Sequence, residues 1–335
     1  MLRRLYGALG SWPVLIFGVF YYISFGRTPS RSYQAMIRIF CLTKGYGLDV
    51  FNFMIRSYKN LLGQRLILPR NDHSDPINDL RGVDFVVSAL RNQGYCAINS
   101  KIPKDLLDAM VDFSLNNEST MRNEQKSEVY TRGKPQSVRY DFSAKTIVGA
   151  ELFNDLLTST FALKVATSYL GCRPWLDVLG MWWHTAFAKE PDSEAAQLYH
   201  FDMDRPKWIK VFIYLTDVAG ENGPHCFVEG SHRSGAVPRS LLRRGYARIQ
   251  DCEVYQLFGA NKEKQFIGPA GTVIFEDTRG LHKGLHVHSG DRLIFQMQFS
   301  NSKFGTAYPE LKQADVNVGL RERLSSLGLP CTLFS

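Results

Sequence analysis

His200, Asp202, His282 and Arg292 are the residues whose types and spacing can do chemistry in this chain. Two histidines and one carboxylate are the ligand set that holds non-haem Fe(II) and leaves three metal positions open for substrates. His200 and Asp202 flank Phe201. On a β-strand, residues i and i+2 point to the same side, so His200 and Asp202 can hold one metal while Phe201 faces the opposite layer. The third ligand must come from another strand, and His282 lies near the end of GTVIFEDTRGLHKG. Arg292 sits in DRLIFQMQF, where alternation puts Arg292, Ile294, Gln296 and Gln298 on one face. Leu293, Phe295, Met297 and Phe299 line the other face. An Arg and two Gln on one side of a strand predict a polar, ligand-filled interior rather than packed core.

The elements that must position these residues are short strands. From Pro174 onward PWLDVLGMWWHTAF, AQLYHFD, WIKVFIYLTD, GPHCFVEG, KQFIGPAGTVIFED and DRLIFQMQFS alternate β-branched and aromatic residues with turns. That pattern predicts antiparallel β, closed as a jelly-roll or cupin-like barrel. Upstream, GVDFVVSALRNQ and PKDLLDAMVDFSLN read as amphipathic helices with a strand at 95–98 between them. ELFNDLLTSTFALKVATSYLG is a second helical unit that Gly171 ends. Residues 116–137 have no clear period and read as a long mobile loop, the kind that serves as an active-site lid. ELKQADVNVGLRERLSSLG is expected as a packing helix.

His-x-Asp alone recurs by chance, so context must carry the reading. The stretch YHFDMDRPKWIKVFIYLTDVAGENGPHCFVEGSHR, then GPAGTVIFEDTRGLHKG, then GDRLIFQMQFS, resembles the phytanoyl-CoA dioxygenase family. The match runs over about residues 169–301, with looser similarity back to GVDFVVSALRNQGYCAI. Its motifs stand in order: His-x-Asp, a Leu-Thr-Asp strand end, Glu-Asn-Gly-Pro, Gly-Ser-His, a distal His and a following Arg. The resemblance implies a mainly β fold with flanking helices, built on a double-stranded β-helix that binds Fe(II) and 2-oxoglutarate. It implies His200, Asp202 and His282 as iron ligands and Arg292 as the partner of the distal 2-oxoglutarate carboxylate. Gln296, on the same face, is a candidate second contact. Many 2-oxoglutarate enzymes have Ser or Thr two residues after this Arg, where this chain has Ile294.

Other histidines compete. His225, His232, His286 and His288 are alternatives to His282. Gly230-Ser231-His232 reads more simply as a turn, and His286 and His288 are too close to Arg292 for the family spacing and read as a solvated loop. His184, beside Trp182 and Trp183, reads as a satisfied barrel histidine.

Composition bounds the rest. The 335 residues are 44% hydrophobic and 21% charged, which fits one sizeable folded domain with additions. The net charge of +8 is not spread evenly. Residues 1–70 hold ten basic residues and one acid, Asp49, and the remainder holds 30 basic against 31 acidic. The basic excess is therefore N-terminal, and the rest has no field inviting nucleic acid. Residues 5–26, LYGALGSWPVLIFGVFYYISFG, are an uncharged run long enough to span a bilayer as a helix, although Gly and Pro interrupt it. Residues 31–62 mix apolar and basic residues in a helical pattern suited to a membrane interface, or else to packing on the catalytic domain. The reading divides the chain into 1–30 as a hydrophobic anchor candidate, 31–75 as a basic amphipathic segment and linker, and 76–335 as the dioxygenase domain. The linker falls at 71–79.

Six scattered cysteines with no C-x-x-C pair argue against a zinc site or disulfide scaffold and suit a reducing compartment. Membrane association with the catalytic part in the cytoplasm follows, with a mitochondrial location as the alternative because the first acid is Asp49. No P-loop, G-x-G-x-x-G, G-x-S-x-G or H-E-x-x-H is present, so nucleotide hydrolysis, Rossmann cofactors and serine or zinc hydrolysis lack support. The sequence thus predicts an Fe(II)- and 2-oxoglutarate-dependent dioxygenase. It would hydroxylate a C–H bond of a small-molecule or lipid-linked substrate and release succinate and CO₂. A cupin-like metal isomerase, a 2-oxoglutarate-independent oxygenase and a non-catalytic membrane-bound barrel are the other readings.

Overall fold

The computed structural model describes residues 2–64, 66–68, 75–100, 102–122, 126–192, 195–245, 247–309 and 311–329. Three helices open the chain: α1 (Leu2–Phe25), α2 (Ser30–Thr43) and α3 (Tyr46–Leu61). After α4 (Gly82–Gln93) come β1 (Tyr95–Asn99) and α5 (Lys104–Asn116). Then β2 (Ser119–Met121), β3 (Ser127–Glu128), β4 (Arg139–Phe142), α6 (Ala144–Gly149), α7 (Asn154–Leu157) and α8 (Thr160–Leu170) lead to the barrel strands. These are β5 (Trp175–Thr185), β6 (Trp208–Tyr214) and β7 (His225–Val228); α9 (Arg239–Leu242) and α10 (Asp251–Phe258) precede β8 (Glu263–Phe266), β9 (Thr272–Glu276), β10 (His282–Gly284) and β11 (Asp291–Ser300). Helix α11 (Val318–Ser326) follows. Gly171 ends α8 in the left-handed conformation, with φ +72° and its N–H on Thr167 O, as a residue without Cβ can.

Eight strands form the larger sheet in the order β1-β9-β6-β11-β5-β4-β2-β3, and β10-β7-β8 form the smaller, all antiparallel. The chain around His200 extends the smaller sheet, because His200 and His282 exchange both backbone hydrogen bonds, at 3.0 and 2.9 Å. Two facing antiparallel sheets are the jelly-roll expected from the strand pattern.

Alternation sorts the larger sheet into two faces. Leu293, Phe295, Met297 and Phe299 of β11 join Val211 and Ile213 of β6 in a core covered by α4, α5, α6 and α8. The opposite faces turn Trp182, Phe212, Ile274 and Ile294 inward, beside the polar residues of the site. A third cluster lies behind the His200 segment: Tyr199, Phe201 and Met203 pack on Leu15, Met36, Ile39 and Phe51 from α1, α2 and α3. Phe201 therefore does face the layer opposite the histidines, its ring 5.8 Å from Phe40.

Two expectations change. Among the described residues no helix is long and apolar enough to cross a membrane, so the 5–26 run is not a spanning segment. Gly7, Gly10, Gly18 and Pro13 fall within α1 and lower its apolar content. Residues 116–137 are not a long loop: β2 and β3 pair there and continue the sheet beside β4, while residues 123–125 lie outside those described. Four residues of the expected linker at 71–79, namely 71–74, lie outside the described residues, so that expectation is neither met nor overturned.

Candidate metal and cosubstrate site

His200, Asp202 and His282 meet inside the barrel. One ligand atom from each lies within 4.8 Å of the others, and all three side chains are buried. The smaller sheet makes this happen, since pairing His200 directly with His282 brings their ring centroids to 4.3 Å. Asp202 is held by its own backbone, its N–H donating to Thr278 O at 2.8 Å.

Each histidine is oriented by the same local device. His200 Nδ1 lies 2.9 Å from Leu198 O, and His282 Nδ1 lies 2.9 Å from Gly280 O. A carbonyl accepts only, so Nδ1 carries the proton and Nε2 keeps its lone pair for a metal. The two Nε2 atoms face Asp202, at 3.9 Å for His200 and 3.6 Å for His282. Burial holds both imidazoles below their usual range, hence neutral, as ligands must be. Burial alone would raise Asp202, but the Lys210 ammonium beside it holds it well below the usual carboxylate range. Lys210 Nζ donates to Asp202 Oδ2 at 2.6 Å. The donor set is one carboxylate and two neutral imidazoles, and it fits Fe(II).

Arg292 lies in the same cavity and is 1% exposed. Its Nη2 is 2.8 Å from His184 Nδ1, which also accepts from Trp182 Nε1 at 3.2 Å. Those two donors fix the His184 tautomer, with the proton on Nε2 toward Ala195 O at 3.1 Å. Burial first, then Arg292 and Arg139, keep His184 neutral. Arg292 Nε and Nη1 are buried and have no hydrogen-bond partner among the described residues. The nearby acids do not neutralise it: Asp291 pairs with Arg132 at 2.7 Å and Glu276 with His225 at 2.9 Å. A buried guanidinium with two nitrogens that donate to nothing is a socket for a carboxylate. Gly284 makes room, because a Cβ there would stand 3.0 Å from Nη2.

The cavity measures about 300 Å³ and is lined by Arg139, Trp182, His184, Lys210, Arg292 and Gln296, among others. That is the lower end for small-molecule sites, roughly 300–1,000 Å³. Arg139 lies 4.4 Å from the Trp182 ring and pairs with Asp141 at 2.6 Å. Gln296 lines the cavity, whereas Gln298 turns to Asp177 at 3.3 Å.

The other histidines separate. His232 is outside the cavity, its Nε2 at 3.3 Å from Arg91 O. His286 is buried against Gln197, not solvated as its loop position suggested, while His288 is exposed. His184, read as a satisfied barrel residue, is satisfied by Arg292 itself. His225 lies inside the barrel, but as the partner of Glu276, whose carboxyl burial pushes up to about 8. Lys210, Glu276 and Arg139 escaped the sequence reading. The signal was present: alternation in WIKVFIY and GTVIFED puts Lys210 beside Phe212 and Glu276 beside Ile274 on the inward face, where a charge is costly unless used.

The sequence matches the phytanoyl-CoA dioxygenase (PhyH) family over residues 90–293, more than half of the chain. The chain belongs to the phytanoyl-CoA dioxygenase family. It is an oxidoreductase, a dioxygenase whose cofactors are Fe(II) and 2-oxoglutarate. No curated protein matches its sequence. Among solved structures, the epimerase SnoN in complex with Fe3+, alpha-ketoglutarate and nogalamycin RO is 16% identical, covering 66% of this chain and 84% of that one, with a TM-score of 0.47. HygX from Streptomyces hygroscopicus, with nickel and 2-oxoglutarate bound, is 13% identical over 64% of this chain and 86% of its own, at a TM-score of 0.47. The alpha-ketoglutarate-dependent carbocyclase SnoK from nogalamycin biosynthesis is 16% identical over 64% and 82%, at 0.44. With identities and TM-scores this low, nothing about substrate passes from those proteins to the present dioxygenase.

Proposed function

We propose that this dioxygenase hydroxylates a C–H bond of a small-molecule or lipid-linked substrate, with residues 76–335 as its catalytic domain. His200, Asp202 and His282 hold Fe(II), Arg292 pairs the distal carboxylate of 2-oxoglutarate, and Gln296 is a further contact to it. Bound there, the pair supplies activation of O₂ with release of succinate and CO₂. The observation that carries this reading is Arg292: two buried guanidinium nitrogens, Nε and Nη1, donate to nothing among the described residues in the cavity that His200 and His282 also line, with Asp202 beside those histidines.

The protein's own part is to bind, orient and exclude water. His184 accepts from Arg292 Nη2 and so aims the guanidinium, leaving Nε and Nη1 for the cosubstrate. Trp182, Phe212 and Ile294 keep the interior apolar around the reacting bond. A carboxylate at position 202 keeps a third protein ligand on the metal, which favours hydroxylation over halogenation. Lys210 holds the Asp202 carboxylate ionised and ready for the metal.

The five described cysteines are free, which supports a reducing compartment such as the cytoplasm. Residues 1–70 place the enzyme at a membrane surface, as their basic and apolar composition suggests. The deciding assay is succinate release from 2-oxoglutarate with Fe(II), run with and without membrane extracts, beside a His200→Ala control. Succinate at the level of that control under every condition would refute the assignment. Oxygen uptake without 2-oxoglutarate would instead promote the cosubstrate-independent oxygenase.

A further inference from the structure

We propose that the outward faces of α1 and α3 form the surface on which an anionic lipid bilayer docks, both helices lying in the plane of the interface. The proposal rests on the membrane reading of residues 1–70 and gives it a place in the structure.

Both helices carry two faces. On α1 the inward stripe is Ser11, Leu15 and Gly18, all buried, followed by Tyr22, whose ring meets Phe304 edge-on at 5.9 Å. Gly18 passes so close to α2 that a Cβ would fall 2.1 Å from the Ser32 Cβ, and Ser32 Oγ donates to Val14 O at 2.9 Å. These contacts tie α1 to α2 and to the barrel. Its outward side shows Phe17, Phe20 and Phe25, which are 65%, 67% and 65% exposed. On α3, Leu48, Phe51 and Lys59 are buried. Tyr46, Val50, Phe53 and Leu61, at steps of four, three and eight residues, are exposed instead.

Exposed apolar residues also stand between the two faces. An apolar groove of about 400 Å³ runs between the helices, lined by Ile16, Phe20 and Ile23 of α1 and by Met54 and Tyr58 of α3. Soluble monomers rarely expose contiguous apolar patches of this kind, and such patches mark interaction sites.

Charge decides the occupant. Arg27 and Arg31 follow α1, and Arg56 stands on α3 with its guanidinium 5.9 Å from the Phe53 ring; all three are exposed. Across residues 27–64 the only acid is Asp49. Exposed aromatic side chains in a basic segment complement acyl chains beneath anionic headgroups. A second copy packed by two-fold symmetry would bring these arginines against one another, a like-charge contact. The inward stripe of α1 is already committed to the barrel, so the helix lies on the membrane without crossing it.

The test is flotation of the full-length protein with vesicles of phosphatidylcholine alone and of phosphatidylcholine mixed with phosphatidylserine. Phe17→Ser, Phe20→Ser and Phe53→Ser combined should lower partitioning on the order of 100-fold, since each removes a ring that is about two-thirds exposed in the free protein. Turnover of 2-oxoglutarate in the lipid-free assay should be unchanged. Arg27→Glu with Arg31→Glu should remove the preference for phosphatidylserine. If wild type and the triple Phe variant float equally, the membrane reading stands and this surface is wrong. A wild type that floats with neither vesicle overturns both. A dimer in ultracentrifugation that the Phe variant dissolves, without flotation, makes the surface a self-association site and overturns the proposal.

Discussion

Replacing Arg292 by Met separates the use of 2-oxoglutarate from every other use of the same metal ligands. Arg292 is a buried cation with Nε and Nη1 unpartnered, so without cosubstrate it is a cost to the fold. Met is of similar length and removes that cost, so the variant should fold with a melting temperature equal to wild type or higher. Cosubstrate binding should suffer instead. Losing a buried charge-assisted pair costs about 2–5 kcal/mol, or roughly 30-fold or more in affinity. At 2-oxoglutarate about 100 times its Kd, wild type gains about 2.7 kcal/mol from binding. For a chain of this length that is a rise of about 4 °C. A 30-fold weaker variant gains about 0.9 kcal/mol at the same concentration, or about 1 °C. Differential scanning fluorimetry with Fe(II), with and without 2-oxoglutarate, reads both quantities. Turnover gives the second reading: the apparent KM for 2-oxoglutarate rises at least 30-fold for Arg292→Ala and less for Arg292→Lys, which keeps a point charge without the fork. An undiminished 2-oxoglutarate-induced shift in Arg292→Met would refute the assignment of the socket and promote an isomerase or a cosubstrate-independent oxygenase.

Two further outcomes are expected. His200→Ala, Asp202→Ala and His282→Ala should each abolish tight Fe(II) binding in competition with a chromophoric chelator while far-UV circular dichroism is retained; a His282→Ala protein of wild-type affinity beside a His232→Ala protein that had lost it would reassign the third ligand. Asp277→Asn should cost about 3–5 kcal/mol in urea unfolding at neutral pH, because it strips Arg279 of a buried partner at 2.8 Å and Tyr169 of an acceptor at 2.6 Å. The pH dependence has a definite sign. Burial alone would raise the Asp277 carboxyl, but Arg279 holds it down at about 2, below its unfolded value of about 3.9. Its stabilisation is therefore complete above pH ~4 and fades as pH falls toward ~2, so wild type should lose about 2 kcal/mol over that window and Asp277→Asn should not.

Period and spacing determined much of this protein without coordinates. The two-residue period of DRLIFQMQFS placed Arg292 and Gln296 on the cavity face and Leu293, Phe295, Met297 and Phe299 on the helix face, because strand side chains alternate whatever surrounds them. The same local rule put Phe201 behind the histidines, and the Gly171 stop followed from backbone freedom alone. What the sequence could not supply is which strands meet. The pairing of His200 with His282 joins residues 82 apart in the chain and turns two histidines among several into neighbours. His225 and His286 are nearly as buried as His282, and only the pairing of the His200 segment with β10 sets His282 beside Asp202. The same holds for His184, whose role as the acceptor of Arg292 exists only because β5 and β11 lie side by side. For α1, composition described a helix apolar enough to suggest a bilayer span. The glycines and proline leave it short of that. Tertiary packing alone decided which stripe is buried against α2 and the barrel and which stays outside, because a helix offers two faces and the sequence does not say what stands against each.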